Sequence, residues 1–326
     1  MDALESIRYQ LLEMTGICGE FPAGQLSRLI NSPSYAEKII TGLKADRLLR
    51  THYRDKLRGY RLTQKSKELL LSNNPERFRF YLTGNTETNQ IRSEVPRRIR
   101  LHQKAEAYLT LHHAGIHIYP DQKPGIFIPG HKAGSADLGD LPLFYSSREV
   151  KALGYDTTKI KNSRAVGVLL TRPCVYVIYN TGDHLLKWEY RTEIRMNALM
   201  QHHLLGNPYP VRPPIRAIMM ASDMDIAKLL MTSTGGFRKS LFMLDTSYEH
   251  FHFLPNTMEG SDLLKIFCSP GIKKQLDRLL LSDMDPKTEL SIEHDAVSPE
   301  GTPVLLAYDF DMVRIQKFNC HSFPSS

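Results

Sequence analysis

The pattern of apolar and polar residues over the first 72 positions predicts four helices and one β-hairpin. Leucine and isoleucine recur three or four positions apart near the N-terminus, which is typical of an amphipathic helix. Further along, two segments of alternating polarity flank a basic loop, and this arrangement indicates a hairpin. The predicted helices span residues 4–16, 23–30, 34–49 and 64–72, and the predicted hairpin strands span 48–53 and 60–63.

Positive charge is concentrated on the third predicted helix and on the hairpin. Between Lys38 and Lys67 the chain has ten Lys and Arg residues but only two acids, Asp46 and Asp55. The helical period places Ala36, Ile39, Ile40 and Leu43 on one face, and we expect Ser34 to cap the helix. The opposite face offers the donors that a helix needs in a major groove. The residues predicted to contact DNA are Ser34, Tyr35, Lys38, Thr41, Lys44, Arg50, Arg54, Lys56, Arg58 and Arg61.

The order of three helices followed by a basic hairpin resembles that of winged-helix DNA-binding domains. This resemblance implies a winged helix-turn-helix domain over residues 1–80 that binds double-stranded DNA, with the hairpin reaching phosphates or the minor groove. In the alternative, these charges solvate a helix and a hairpin of a domain that binds another protein. The polar segment 81–96 is interpreted as a linker.

Helices and strands alternate through the rest of the chain, which predicts an α/β fold, α+β overall. A helix over 97–114 has a basic start that opposes the helix dipole and suggests an external anion such as phosphate. A proline-rich joint separates a mixed α/β domain, residues 97–207, from an α/β extension, residues 208–326. Strands are predicted at 117–128, 165–170, 174–180, 216–221, 240–245, 250–254 and 303–318, and helices at 191–205, 223–231 and 260–268.

The composition is that of a globular protein. The 326 residues are 41% hydrophobic and 24% charged, which suffices for two domains with separate cores. No run of eighteen apolar residues exists, and the first twenty residues include four acids, so we expect a cytoplasmic protein without a membrane partner. The net charge of +7 favours polyanionic partners. The four cysteines are too far apart for a zinc motif, and no phosphate-binding glycine loop follows a strand.

One group of residues has the spacing of a PD-(D/E)XK nuclease site. Asp137 precedes Glu149 by twelve positions, and Lys151 follows Glu149 by two. Asp137 and Glu149 would bind Mg²⁺ or Mn²⁺ and Lys151 would orient the attacking water, so these three are the predicted catalytic residues. This interpretation requires Glu149 and Lys151 on one face of a strand. In the alternative, Ser146 or Ser147 caps a helix that carries Glu149 and Lys151 as a solvated pair, and no cofactor is needed.

A rival metal site involves His250 and His252, because two histidines alternate on a predicted strand as in HUH single-strand nucleases. Those enzymes also use a tyrosine nucleophile, but Tyr308 is predicted to lie in a strand rather than a helix. Solvent-facing histidines are the favoured interpretation. Asp309 and Asp311 are interpreted as a surface ladder on one strand face.

The layout of a winged helix, a linker and the segments that follow resembles the replication-relaxation family of plasmids and integrative elements. The resemblance rests on YSSREVK at 145–151, SRAVGVLL at 163–170 and VYVIYNTG at 175–182, and covers about residues 5–205. The family is related to MobC-class conjugative relaxases, which carry a restriction-endonuclease-like metal site, and Asp137, Glu149 and Lys151 would be the matching catalytic positions.

This resemblance implies a protein that binds or nicks an origin of transfer or replication on a mobile element. Its partners would be double-stranded DNA, accessory proteins of the element, and a second copy of the chain in a homodimer. The alternative is a non-catalytic replication or transcription regulator, whose second domain serves dimerisation or partner binding.

Overall fold

The computed structural model describes residues 3–134, 142–153, 162–286 and 294–322, and it combines helices with β-sheets. The α/β class predicted from the sequence is therefore confirmed at that level. The chain divides into two compact units. Unit 1 comprises Met1–His112 and Ile118–Lys123, and unit 2 comprises His113–His117 and Pro124–Ser326.

Unit 1 contains all the elements predicted from the first 72 residues, with a short strand and a further helix in addition. The short strand is β1, which follows the first helix, and the further helix is α5. In chain order the elements are α1 (Ala3–Cys18), β1 (Glu20–Pro22), α2 (Leu26–Leu29), α3 (Pro33–Ala45), β2 (Leu49–Arg54), β3 (Leu57–Leu62), α4 (Gln64–Asn73), α5 (Pro75–Leu82) and α6 (Val95–His113).

The sheet of unit 1 is antiparallel and has the strand order β1-β3-β2. Only Asp55 and Lys56 connect β2 to β3, and their φ angles are 52° and 62°. Two consecutive residues with positive φ form a type I′ turn, whose twist matches that of the flanking strands. The strands of the hairpin therefore stay paired up to the turn, where Arg54 lies opposite Leu57.

The core of unit 1 forms where α3, α1 and the sheet bury their apolar faces. The apolar face predicted for the third helix is confirmed, because Ala36, Ile39, Ile40 and Leu43 are each at most 6% exposed. Burying one side chain the size of isoleucine or leucine contributes about 1.5–3 kcal/mol. Further side chains with no exposed surface are Leu11, Ile17, Phe21, Leu70, Phe78 and Tyr108.

Unit 2 is built around a five-stranded sheet of order β4-β5-β6-β7-β8. Strands β4, β5 and β6 are antiparallel neighbours, whereas β6, β7 and β8 run parallel. A helix connects each parallel pair, since parallel strands need a crossover. The elements are β4 (Leu143–Ser146), α7 (Ser147–Lys151), β5 (Gly167–Leu170), β6 (Val175–Gly182), α8 (Tyr190–Leu204), β7 (Ile215–Ala221), α9 (Asp225–Thr232), β8 (Phe251–Pro255), α10 (Met258–Cys268), α11 (Pro270–Leu280), β9 (Asp285–Pro286), β10 (Ala296–Val297), β11 (Pro303–Val304) and α12 (Met312–Ser322).

The two faces of this sheet differ, because side chains alternate along each strand. One face is apolar, and Val177, Met219 and Phe253 belong to the main hydrophobic core of unit 2. The opposite face carries Tyr176 of β6 beside Arg216 of β7, and further along the same strands Ile178 lies beside Ile218. Polar and charged side chains on this face therefore lie near the amino ends of the parallel strands.

Two helices of unit 1, α5 and α6, differ from the prediction. Helix α5 has no predicted counterpart, although Pro75 occupies its first turn and the Asn74 side chain accepts a hydrogen bond from the backbone N–H of Arg77 at 3.0 Å. Helix α6 was expected to open the second domain at residue 97, but it belongs to unit 1. Its inward-facing residues, among them Leu101, Ala105 and Tyr108, are buried.

Three strand predictions beyond α6 are wrong over most of their length. Segment 240–245 has only an isolated bridge between Leu241 and Lys187. Segment 117–128 contains a 3₁₀ turn, Pro120–Gln122, in place of strands. In segment 303–318 only β11 is a strand, and α12 follows because the Asp311 carboxylate accepts a hydrogen bond from the N–H of Val313 at 3.2 Å. Within the described ranges, no helix combines the length and apolar character needed to cross a lipid bilayer.

Candidate nucleic-acid interface

The basic residues of α3 and the hairpin lie on the surface of unit 1. Eight of the ten Lys and Arg residues between positions 38 and 67 are exposed, as are Ser34 and Thr41, while Tyr35 is half-buried. The exposed cations are Lys38, Lys44, Arg47, Arg50, Arg54, Lys56, Arg58 and Lys65. We use the name basic surface for the predicted contacts that lie there, Ser34, Tyr35, Lys38, Thr41, Lys44, Arg50, Arg54, Lys56 and Arg58.

Acidic side chains near the basic surface reduce its charge only locally. Asp46 forms an ion pair with Arg8 at the end of α3. Asp55 at the hairpin turn lies 3.3 Å from the guanidinium of Arg54, with both side chains exposed. Exposed pairs of this kind are weak, about 0–1 kcal/mol, so an incoming phosphate can compete for Arg54.

The start of α3 differs from the prediction in its cap. Ser32, not Ser34, is the N-cap, and its hydroxyl accepts a hydrogen bond from the N–H of Tyr35 at 3.5 Å. Pro33 then occupies the first helical position, which suits proline because it has no N–H and a fixed φ. The change leaves the Ser34 hydroxyl exposed at the helix N-terminus, where backbone N–H groups and the helix dipole favour anions.

Arg61 does not belong to the basic surface, and its prediction as a surface contact is wrong. Its side chain is 3% exposed, and its Nε donates to Oε2 of Glu20 at 2.7 Å. The two residues lie directly opposite each other on β3 and β1, so their side chains share one face of the sheet. The sequence prediction did not include β1, and therefore it missed this partner.

Glu20 is the centre of a buried ionic cluster. Arg98 donates from Nη2 to Oε1 at 2.6 Å, and Nε2 of His102 lies 2.8 Å from the same oxygen. Burial alone would raise the pKa of Glu20, but hydrogen bonds from His102, Arg98 and Arg61 outweigh burial and lower this pKa to about 2. The carboxylate therefore stays ionised at every physiological pH.

Arg98 also connects this cluster to the turn of the hairpin. Its Nη1 donates to the carbonyl of Arg54 at 2.9 Å, and its Nη2 donates to the carbonyl of Leu57 at 2.9 Å. These carbonyls flank the turn on both sides. The basic start of α6 thus has an internal carboxylate, Glu20, as a partner, where the sequence suggested an external anion. The cluster holds the hairpin in place before any ligand binds.

Gly59 on β3 is required by the same cluster. A Cβ atom at this position would lie 2.4 Å from Oε1 of Glu20, well inside van der Waals contact. Any side chain at position 59 would displace the carboxylate from its arginine partners. Glycine at this position therefore permits the close approach of β3 to the ionic cluster.

The predicted nuclease residues are only partly within the described residues. Asp137 lies outside them. Glu149 and Lys151 lie on helix α7, so their predicted placement on a strand is wrong. Glu149 forms a capping box with Ser146: its Oε2 accepts from the N–H and hydroxyl of Ser146, both at 2.8 Å, and the Ser146 hydroxyl accepts from the N–H of Glu149. The alternative in which Ser146 caps a helix is confirmed.

The histidines of the rival metal site make protein contacts instead. Nδ1 of His250 lies 2.6 Å from Oδ2 of Asp311, and Nδ1 of His252 lies 3.1 Å from the carbonyl of Asp309. His252 is 2% exposed, so the prediction of solvent-facing histidines is wrong for it. Asp309 and Asp311 are buried as well, and they precede α12 rather than forming a strand ladder.

Within the described residues, no three His, Cys, Asp or Glu side chains are grouped so that they could hold a metal ion. The catalytic roles of Asp137, Glu149 and Lys151, and their use of Mg²⁺ or Mn²⁺, stay predictions, and we derive no reaction step from them. The chain matches no family model, no curated protein and no solved structure.

Proposed function

We propose that unit 1 is a winged-helix domain that binds double-stranded DNA, with α3 in the major groove and the β2–β3 hairpin against the sugar-phosphate backbone. The observation that carries this proposal is the basic surface, because between positions 38 and 67 eight exposed Lys and Arg residues face only two exposed acids, Asp46 and Asp55. The alternative, in which these charges only solvate a helix and a hairpin, predicts no such excess of positive charge. The chain order of unit 1 and its strand order β1-β3-β2 support the winged-helix assignment.

The dimensions of α3 suit the proposed role. Its 13 residues extend over about 20 Å, and a helix of this diameter fits a major groove about 12 Å wide. Lys38 and Thr41 lie three positions apart, as do Thr41 and Lys44, so the three side chains follow one exposed stripe of the helix. Hydroxyl and ammonium groups on such a stripe can reach base edges and phosphates.

The hairpin suits contact with the backbone. Arg54, Lys56 and Arg58 surround a turn that Arg98 holds from inside the unit. A rigid basic turn loses little conformational entropy when it binds phosphates. This arrangement favours DNA binding over a hairpin whose charges only keep the protein soluble.

We propose binding rather than strand cleavage, because Oε2 of Glu149 already accepts two hydrogen bonds from Ser146. The resemblance to the replication-relaxation family would make the duplex an origin of transfer or replication on a mobile element, recognised by a non-catalytic regulator. A nicking assay on supercoiled plasmid with Mg²⁺ or Mn²⁺ addresses cleavage directly. This part of the proposal would be contradicted if the wild type nicks the plasmid and if Glu149→Ala and Lys151→Ala abolish nicking without changing the affinity for the duplex.

DNA binding is tested with 30-base-pair duplexes selected from a random pool, using fluorescence anisotropy between low and physiological salt. Four charges are removed together from the basic surface, and four from exposed positions elsewhere. The test variant carries Lys38→Gln, Lys44→Gln, Arg54→Gln and Arg58→Gln, and the control carries Arg79→Gln, Arg92→Gln, Arg100→Gln and Arg191→Gln.

The test variant should bind more weakly, and its dependence of log affinity on log salt should be shallower by about two to four, since each phosphate contact contributes about −0.9 to that slope. The control variant should keep the slope of the wild type to within about one. Equal affinity and slope in the wild type and the test variant would refute the proposal. Equal losses in both four-charge variants would show that total charge, and not the basic surface, attracts DNA.

A further inference from the structure

A cavity of about 300 Å³ lies on the face of the five-stranded sheet of unit 2 that carries Tyr176 and Arg216. Its floor is formed near the amino ends of the parallel strands β6, β7 and β8, and α10 and α11 line it from the other side. This volume is at the lower end of the range of ligand pockets, about 300–1,000 Å³. The residues that define the polar cavity are Tyr176, Arg216, His252, Phe267, Lys274 and Asp309.

Three residues of the polar cavity have buried polar atoms without a hydrogen-bond partner among the described residues: Nε of Arg216, Nε2 of His252 and Oδ1 of Asp309. His252 and Asp309 are 2% and 6% exposed, so both side chains are more than nine-tenths buried. Buried polar groups are nearly always paired, because an unpaired one costs free energy. Three unpaired groups around one cavity therefore point to a ligand.

His252 offers a hydrogen-bond acceptor to a ligand in the polar cavity. Burial lowers the pKa of His252, so its ring is neutral near pH 7. Its Nδ1 lies 3.1 Å from the backbone carbonyl of Asp309, which can only accept, so Nδ1 carries the proton. The Nε2 atom is then an acceptor, as is the carboxylate oxygen of Asp309. A ligand group with two N–H donors, such as a primary amine on a heterocycle, satisfies both.

The remaining groups select an anion and a flat ring. Lys273 is paired with Asp277 at 3.2 Å, which leaves Arg216 and the exposed Lys274 as cations for a ligand. Two cations suit a dianionic phosphate better than a single carboxylate. The rings of Tyr176 and Phe267 lie 5.9 Å apart with 19° between their planes, and they provide an aromatic wall against which a base can stack.

We propose that the polar cavity binds a nucleoside monophosphate whose base carries an exocyclic amine at position 6 of a purine or position 4 of a pyrimidine, as adenine and cytosine do. Arg216 and Lys274 bind the phosphate, His252 and Asp309 accept from the amine, and Tyr176 with Phe267 packs against the base. The same chemistry is present in a free nucleotide and in the terminal nucleotide of a single strand. The site belongs to unit 2 alone, so its occupation does not depend on the DNA binding proposed for unit 1.

The experiment measures binding of AMP and CMP to the full chain by calorimetry and by the shift of the thermal midpoint. IMP lacks the exocyclic amine, inorganic phosphate lacks the base, and adenosine lacks the phosphate, so these three are the comparison ligands. The variants are Arg216→Gln, Asp309→Asn and, as a matched control on the far side of the sheet, Arg191→Gln. A 5′-phosphorylated pentadeoxyadenylate distinguishes a strand end from the free nucleotide.

AMP or CMP should bind at least about tenfold more tightly than IMP, phosphate or adenosine, and Arg216→Gln should weaken AMP binding about tenfold or more while Arg191→Gln leaves it unchanged. The ligand-free thermal midpoint of Arg216→Gln should match that of the wild type, because Nε of Arg216 has no partner within the described residues. Asp309→Asn should reduce the preference for AMP over IMP. If the pentamer binds more tightly than AMP and Arg216→Gln weakens its binding as well, the result supports the site and identifies the end of a single strand as its ligand.

Three results would overturn the proposal. These are absence of AMP and CMP binding at millimolar concentration, equal affinity for phosphate and AMP, and unchanged AMP affinity in a folded Arg216→Gln variant. Duplex binding is measured on the same samples. Lost nucleotide binding with retained duplex binding would refute this site alone, and the reverse result would refute only the function proposed for unit 1.

Discussion

Replacing Arg98 with methionine is expected to destabilise unit 1 and to loosen the hairpin. Removing one partner of a buried ion pair costs about 3–5 kcal/mol, since the other charge stays buried without compensation. Glu20 keeps Arg61 and His102 in this variant, so we expect a loss near the lower limit, about 3 kcal/mol in the free energy of unfolding. The carbonyls of Arg54 and Leu57 lose their donor in the same step.

The assay combines urea unfolding, followed by far-ultraviolet circular dichroism, with hydrogen exchange of the segment 49–62. The matched control is Arg97→Met, one position earlier on α6. Arg97 is 37% exposed and pairs with Glu94 at 2.6 Å, a surface pair worth about 0–1 kcal/mol. Arg98→Met should therefore lose stability and exchange the turn amides faster, while Arg97→Met should behave like the wild type.

A loss below about 1 kcal/mol in Arg98→Met, or equal exchange of segment 49–62 in the two variants, would refute the role given to the cluster. If Arg98→Met does not fold, Arg98→Lys retains a charge beside Glu20 but cannot reproduce the planar set of donors. The double variant Glu20→Gln with Arg98→Met should be less destabilised than the sum of the two single changes, because both single changes remove the same ion pair between Glu20 and Arg98.

Three further predictions concern single residues. Burial raises the pKa of Glu193 to about 7. Its contribution to the free energy of unfolding is therefore fully present below the unfolded pKa of about 4.5, and roughly 3 kcal/mol is lost as the pH rises through 7. The variant Glu193→Gln should flatten this decline when urea midpoints are compared at pH 5 and pH 8. Gly59→Ala should lower the free energy of unfolding by about 1–3 kcal/mol, because the new Cβ atom would clash with Glu20. Gly24→Ala is the control, since a Cβ atom there has no neighbour within 4 Å. Equal thermal midpoints of the two variants would contradict this prediction. Lys56→Gly should stabilise the turn by about 1 kcal/mol, because Lys56 has a positive φ that glycine adopts without strain. The same variant should make the dependence of log DNA affinity on log salt shallower by about one. A destabilised variant would contradict the type I′ assignment.

Elements that depend on neighbours in the sequence were predictable. The period of α3 and the alternation of the hairpin strands are local signals, and both the buried face of α3 and the β2–β3 pairing follow the prediction. The signals of Glu149 were ambiguous, because Ser-x-x-Glu is a capping box and Glu-x-Lys is also the end of a nuclease motif. The pairing of Ser146 with Glu149 decides between these interpretations, and only coordinates provide it.

Features that join distant segments were not predictable from one sequence. Glu20 is separated from Arg61 by 41 positions and from Arg98 by 78, so no window of helical or strand period contains the cluster. An acid at the start of a three-residue strand and an arginine within a basic run both look like surface residues in the sequence. The polar cavity is similar, since Tyr176, Arg216 and Asp309 come from distant parts of unit 2.

The ionic cluster also sets the smallest piece of the chain that can keep the hairpin in the form on which the proposed DNA binding depends. A fragment cut at residue 80, where the sequence pattern ends the domain, would keep Glu20 and Arg61 but lose Arg98 and His102. It would also lose Lys104 of α6, which donates a hydrogen bond to the backbone carbonyl of Ile17 at 2.8 Å. Transfer of this hairpin to another protein, or its study in isolation, therefore requires α6 at least as far as His102, well beyond residue 80.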